Sequence, residues 1–326
     1  MKTNRRQVLT ALAAGAAGLG CVAHAQTLSG RPVKMIVPFA AGGANDLIAR
    51  ALQRPLGEAL KTNVIVQNMP GGSTKIATSE LMRSAPDGTT LMLAGNVALM
   101  SYYYSGIYDK MIWNEMTVLG QTGRMPWGML ETRAESPFKS WADVVAYGKK
   151  NPGKLTAGGP ALGGMMNLIV IETARTAGID VVYVPYKGGG PSGLAMLGGE
   201  VAYRVAQPPE VFPNVKAGKT RGLGIAYHER LPEMPDVPTF KELGIMFDIP
   251  AFGFDVWGPP GMASSLANTI TEAVKVAIKD PTYVSVAKRL VYQPEFTTPE
   301  DLKKSMRYFE QHVGPKMAAA FPPPKK

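Results

Sequence analysis

From residue 33 to residue 257, apolar runs of strand length alternate with amphipathic patterns of helical period, and glycines sit at many of the joints. This alternation confines the chain to an α/β architecture, since each helix must bury its apolar stripe on a sheet, and it predicts parallel pairing. The strand-like runs are 33–39, 63–67, 90–94, 180–185, 201–206, 221–226 and 252–257. Helical patterns lie between them at 45–61, 73–84, 165–177, 191–197, 210–216 and 239–243. Pro55 falls inside the first of these and predicts a kink or an early end. After Trp257 the alternation stops, and helical patterns follow one another at 263–279, 282–290 and 299–319. Helices without a strand of their own must cover a sheet made earlier. The expected fold is therefore α/β with two lobes, one formed by 26–122 with 255–326 and the other by the inserted 123–254. Two crossings would make a hinge, with a cleft between the lobes.

The first 25 residues read as an export leader rather than as part of this fold. Lys2, Arg5 and Arg6 form a positive start, 8–19 is apolar or small, and Ala23-His24-Ala25 is a small-residue cleavage site. The Arg pair resembles a twin-arginine signal but also suits an ordinary secretory one, so the expectation is a periplasmic protein by either route. Lipid attachment at Cys21 is the rival; Leu19 stands one place too close to it for a good lipobox, which favours cleavage after Ala25. Removing 1–25 takes away the only cysteine and three of the bases, so the formal charge of +10 falls to +7 and no disulfide can form. The remaining chain must be held by packed cores, and it is long enough for two. Its bases are scattered, which argues against a nucleic-acid partner and for a surface that attracts anions. No later apolar stretch has membrane-spanning length, which predicts a soluble mature protein. "FPPPKK" at 321–326 reads as a disordered end, and no fixed-period repeat is visible.

Four glycine-rich loops carry the functional expectation: Ala40-Ala41-Gly42-Gly43, 158–164, 187–190 and the weaker Pro70-Gly71-Gly72. Loops beyond the carboxyl ends of strands line the crevice of an open α/β sheet, and helix starts there offer free N–H groups to anions. "GGGPSG" at 188–193 matches a dinucleotide fingerprint, but Pro191 inside it, export, and the lack of a suitably spaced acid oppose that reading. It suits a loop that lets a ligand or the facing lobe approach closely. Catalysis finds no support. The mature chain has only His228 and His312, no cysteine and no serine elbow, and Glu300-Asp301 reads as helix-capping charge. No cluster has metal-ligand spacing, so neither a metal nor a cofactor is expected. Trp127, Phe252, Phe254 and Trp257 fall near the crossings and read as core by default, whereas Phe39 adjoins the first glycine loop and reads as a site residue.

The segments "VPFAAGGANDLIAR", "VQNMPGGSTKIATSELMRSAPDGTTLML", "NPGKLTAGG", "DVVYVPYKGGGPSGLAMLGGEV", "VKAGKTRGLGIA", "MPDVPTFKELG" and "DPTYVSVAKRL" together resemble the Bug proteins. These are the extracytoplasmic solute receptors of tripartite tricarboxylate transporters. The resemblance implies a two-lobed periplasmic binding fold, a small dicarboxylate or aromatic acid as ligand, membrane permease subunits as partners, and a monomer. It places the ligand at Phe39, Ala40, Ala41, Gly42, Gly43, Asn45 and Asp46, then at Asn96, then at Gly159, Pro160, Gly163 and Gly164. Tyr186, Lys187, Gly188 and Gly189 form a third anchoring loop, with Arg204 and Gln207 at the end of the strand after it. Gly42 and Gly43 would let a carboxylate meet backbone N–H groups, and Asp46, which would repel it, would cap the loop. Two departures stand out. Met165-Met166-Asn167 replaces the polar set that usually opens its helix, and Ala202 replaces a common Asp, with Arg204 nearby. Both predict a pocket less polar on one side, suited to a bulkier or aromatic acid. Arg204 reads either as a pocket cation or, somewhat favoured, as an exposed strand residue. Two rivals are a receptor that signals to a membrane sensor and, further off, a hydrolase of the cleft.

Overall fold

A computed structural model of the chain describes residues 30–246 and 252–322. The leader, Cys21 and the end of the proline tail lie outside the described residues. The chain runs β1 (Val33–Val37), α1 (Ala44–Leu60), β2 (Val64–Asn68), α2 (Lys75–Arg83), β3 (Thr90–Ala94), α3 (Asn96–Tyr104) and β4 (Thr117–Gln121). It continues through β5 (Met129–Arg133), α4 (Trp141–Lys150), β6 (Leu155–Pro160), α5 (Met165–Ala177), β7 (Val181–Tyr186), α6 (Gly189–Gly198), β8 (Tyr203–Ala206), α7 (Pro208–Lys216) and β9 (Thr220–Ile225). It ends with β10 (Asp255–Gly258), α8 (Ser264–Ala277), α9 (Pro281–Arg289), α10 (Pro299–His312) and α11 (Gly314–Ala320).

The described strands form two five-stranded sheets, ordered β2-β1-β3-β10-β4 and β7-β6-β8-β5-β9. The expectation of parallel sheets is corrected: both are mixed. β1 runs parallel to β2 and β3, and β6 to β7 and β8, while β10 and β5 pair antiparallel with both their neighbours. The physical reason is the crossover. β5 is the strand with which the chain enters the second sheet, and β10 the one with which it returns to the first, so each arrives from the opposite side. The two crossing segments pair with each other, Met125 N–H donating to Phe252 O at 2.8 Å and Thr122 N–H to Phe254 O at 2.9 Å. Tyr292 pins them, its hydroxyl donating to Gly123 O and accepting from Phe254 N–H, both at 3.0 Å.

The last helices pack on elements of the first half of the chain: α8 on α1 and β4, α9 on α1, and α10 and α11 on α3. Three local expectations are corrected in whole or in part, for identifiable reasons. Helix α1 continues through Pro55 to Leu60 instead of ending early; an apolar face buried along its length (Ile48, Leu52, Leu56, Leu60) outweighs the hydrogen bond that proline removes. The pattern at 239–243 makes a single turn, stopped by Gly244 at φ 72°. The pattern at 299–319 is two helices, broken before Gly314-Pro315, where proline has no N–H to continue the ladder. Strands β4, β5 and β6 and helices α3 and α4 are elements the periodicity did not reveal. Among the described residues, no helix is long and apolar enough to cross a membrane.

Candidate functional site

Five helices begin around one cavity between the two sheets. Its lining includes Gly43, Ala44 and Asn45 of α1, Gly95, Val97 and Ala98 at α3, and Gly164, Met165 and Met166 at α5, with Gly189 of α6 and Gln207 and Glu210 at α7. Phe39, Tyr102, Trp127, Phe252, Phe254, Pro160 and Ala206 complete the wall. Each helix start carries a partial positive charge, and all but α7 present N–H groups with no partner inside the helix. α7 opens on Pro208-Pro209, which have none, and Glu210 N–H bonds back to Gln207 O at 2.9 Å. No lysine or arginine stands among the lining residues. The cavity is about 60 Å³, room for more than one water. Trp127 and Phe252 stack at 4.1 Å between ring centroids, 16° apart in plane, and give one wall a flat aromatic face.

Two of the helix starts share one construction. Gly42 and Gly163 take left-handed φ of 80° and 74°, which favours glycine, and Gly43 and Gly164 then cap the helices in extended conformation. In each, the residue four places after the first glycine reaches back to it. Gly42 N–H donates to Asp46 Oδ2 at 2.9 Å, and Gly163 N–H donates to Asn167 Oδ1 at 3.2 Å. Asp46 also accepts from Asn68 at 3.0 Å and pairs with Arg50 at 2.9 Å, and its side chain faces away from the cavity. Burial alone would raise its pKa, but Arg50, the Gly42 N–H and Asn68 together hold the carboxyl below its ordinary value. The capping role expected of Asp46 has this geometry.

The two starts differ at their outermost N–H. Ala44 N–H donates to Glu210 Oε1 at 2.8 Å, across from the second sheet's α7. Among the described residues no acceptor meets the N–H of Met165 or Met166. Glu210 belongs to a buried ion cluster: its Oε2 lies 3.3 Å from Arg204 Nη1, and Arg204 Nε lies 2.6 Å from Glu131 Oε2. Arg204 Nη1 also donates to Gly189 O at 2.8 Å. Burial raises the Glu210 pKa above its ordinary value against the pull of Arg204 and the Ala44 N–H, and Glu131 pushes it the same way as burial. At α3 the same device recurs, with Asn96 N–H donating to Asp255 Oδ2 at 2.6 Å and Gln121 to Oδ1 at 2.9 Å. Burial pushes Asp255 up to about 7.

Of the residues expected at the site, Phe39, Gly43, Asn45, Pro160, Gly164, Gly189 and Gln207 line this cavity. Ala40, Ala41, Gly42 and Gly188 serve the contact between the halves. Ala40 N–H donates to Lys187 O at 3.0 Å, and a Cβ at Gly190 would run into the Ala41 carbonyl. What approaches the first glycine loop closely is thus the facing loop. Tyr186 and Lys187 open onto a separate surface groove with Phe39, Gly159 lies inside β6, and Asn96 lines a second cavity behind the Trp127–Phe252 pair. Arg204 is neither a cation in the cavity nor a surface residue. It is 1% exposed, because both faces of β8 are covered, and it is held by two carboxylates behind the wall. Sequence reasoning missed Glu210, Tyr102, Val97 and Ala98, and it gave Trp127, Phe252 and Phe254 to the core. Glu210 reads locally as an ordinary first-turn acid, and its partner Ala44 is 166 residues away. Among the described residues no group of three or more His, Cys, Asp or Glu could hold a metal ion.

Residues 48–309 match the model of the tripartite tricarboxylate transporter family receptor. The chain is 30% identical to protein BugT of Bordetella pertussis over 290 residues, covering 88% of each. A solved structure described as a periplasmic transporter superposes with a TM-score of 0.80 at 27% identity, covering 87% of this chain and 95% of that one. Two further structures share the fold at 24% identity. MatC of Rhodopseudomonas palustris with bound malate has a TM-score of 0.79 (89% of this chain, 99% of that one). A second R. palustris protein with adipate has 0.80 (90% and 98%).

Proposed function

This chain belongs to the receptor family of the tripartite tricarboxylate transporters, a family of periplasmic binding receptors and not of enzymes, and from that premise we propose that it captures a small organic carboxylate in the cleft between its sheets and delivers it to membrane permease subunits. The observation that carries the ligand class is the convergence of five helix starts on a cavity without a cationic side chain. A site of this kind binds an anion through backbone N–H groups and helix dipoles. The carboxylate sits at the start of α5, on the N–H groups of Met165 and Met166. Its body lies between Phe39 and the Trp127–Phe252 stack, which favours an aromatic or otherwise apolar acid. Malate and adipate in the two R. palustris structures support the carboxylate class.

The lobes of this reading are 26–122 with 255–326, and 123–254, hinged at the paired crossings. The Ala40–Lys187 and Ala44–Glu210 hydrogen bonds belong to the closed arrangement. A ligand touching both lobes binds that arrangement better and shifts the population toward it. The exported form begins at Gln26, after cleavage of the leader, and acts as a monomer. Isothermal titration with a panel of mono- and dicarboxylates, alongside native mass spectrometry for an acid retained on purification, tests the function. Binding of at least one acid in the micromolar range is expected, with a smaller radius of gyration in solution scattering. No binding across the panel and no retained acid would overturn the carboxylate reading, and an unchanged radius with a bound acid would overturn the hinge.

A further inference from the structure

Given a carboxylate ligand in this cleft, on which the following rests, we infer that Glu210 restricts the receptor to acids with a single carboxylate whose far end carries a hydrogen-bond donor. The anion seat at the start of α1 is already filled from within the chain, by Glu210 Oε1 on the Ala44 N–H at 2.8 Å. Arg204 does not cancel that charge, because it is shared with Glu131 at 2.6 Å. Two carboxylates against one guanidinium leave a net negative charge behind this wall. A second carboxylate on the ligand would meet Glu210, whose side chain is only 7% exposed and so little screened, and would be repelled. A diacid bridging the twin helix starts is thereby excluded.

An independent observation points to what replaces it. Asn45, 8% exposed and lining the same cavity, keeps its Oδ1 buried without a hydrogen-bond partner among the described residues. A buried acceptor left unmet is costly, and a donor brought by the ligand relieves it. Glu210 and Asn45 thus place two acceptors at one end of the cavity, while the open N–H groups of Met165 and Met166 place two donors at another helix start. The Trp127–Phe252 stack belongs to the same lining. The matching ligand is a hydroxy- or amino-substituted monocarboxylic acid with an apolar body about the size of a ring.

Isothermal titration with acids that share a skeleton tests this directly: benzoate, 4-hydroxybenzoate, 4-aminobenzoate and terephthalate, with 6-hydroxyhexanoate and adipate as an aliphatic pair. Wild-type protein should bind the hydroxy or amino acid of its preferred skeleton at least tenfold tighter than the diacid. Glu210→Gln keeps an acceptor for Ala44 and leaves Arg204 its Glu131, yet removes the charge; it should narrow that ratio at least tenfold. Glu210→Asp should keep the preference. A diacid bound by wild type as tightly as its hydroxy counterpart would overturn the single-carboxylate restriction while upholding the carboxylate reading. A preference unchanged in Glu210→Gln would take Glu210 out of it, and should that variant fail to fold, the wild-type ratio decides alone. No binding of any of the six acids would count against the carboxylate reading itself, and the restriction would fall with it.

Discussion

Gly42-Gly43-Ala44-Asn45-Asp46 and Gly163-Gly164-Met165-Met166-Asn167 occupy corresponding places, each after the strand that pairs in parallel with two neighbours in its sheet. Both follow an alanine two places ahead of the first glycine, and both run on into Leu-Ile. The first helical bonds are alike too, Leu47 N–H to Gly43 O at 3.0 Å and Leu168 N–H to Gly164 O at 3.1 Å. Their surroundings are not alike. The first loop lies against the facing glycine loop and Glu210, so its outermost N–H is spent on closing the two halves together. The second lies against the Tyr102 ring, with its first-turn N–H groups unclaimed by the protein. Nearly the same backbone geometry therefore serves assembly in one half and stays open in the other, where the proposed anion seat lies, and the difference is made by Glu210 on a distant helix.

The largest test of this difference adds a side chain at each cap. Neither Gly43 nor Gly164 has a φ that demands glycine, so valine is tolerated by the backbone at both. At Gly164 a Cβ would sit 3.2 Å from Tyr102, and the valine methyls would cover the Met165 N–H. Gly164→Val should weaken the tightest acid by about 100-fold, which is roughly 2.7 kcal/mol. At Gly43 a Cβ would sit 3.3 Å from Gly189 N, which hinders closure and not the carboxylate seat. Gly43→Val should cost about tenfold in affinity, roughly 1.4 kcal/mol. Titration of the two variants side by side measures the asymmetry. A larger loss at Gly43 would reverse the assignment of the anion seat.

A second test concerns stability. Asp46→Ala takes their charged acceptor from the exposed Gly42 N–H and the half-buried Asn68 amide, and should cost about 2 kcal/mol in denaturant unfolding. Asn167→Ala removes one neutral hydrogen bond at 3.2 Å and should cost about 1 kcal/mol. Equal losses would mean that the Arg50 and Asn68 contacts of Asp46 add nothing to the shared plan.

How much of this was legible beforehand follows from the range of the interactions. The glycine pairs mark the helix starts because backbone conformation is a local property, and the switch to consecutive helices marks the returning segment because covering a sheet needs no strand. β5 escaped detection because Glu131 and Thr132 are fully buried in it, so polarity no longer reports which face meets water. β8 is buried at every position and has no alternation to read, which is why Arg204 was assigned to the surface or the cavity. The wall of the site is harder still. Glu210 acts on Ala44, and Phe252 stacks on Trp127, across separations that no local pattern encodes. The fold was largely readable, the loops of the site half so, and the long-range partners in its wall were not.

The smallest effect comes from making the first loop resemble the second. Asp46→Asn keeps an oxygen for the Gly42 N–H but gives up the charge that Arg50 and Asn68 address. Arg50 is half exposed, so that ion pair contributes little, and the loss should be about 1 kcal/mol at pH 7. Its pH dependence identifies the source. The folded-state pKa of Asp46 lies below its ordinary value of 3.8. The carboxylate's contribution is therefore fully present above the unfolded pKa near 4, and is lost as pH falls through the lower folded value. Wild type and Asp46→Asn should differ in denaturant midpoint by a constant amount from pH 5 to 8, and converge below about pH 4. A difference that persists undiminished at pH 3 would trace to the geometry of the amide and not to the charge, and the two loops would then be held by the same neutral hydrogen bond.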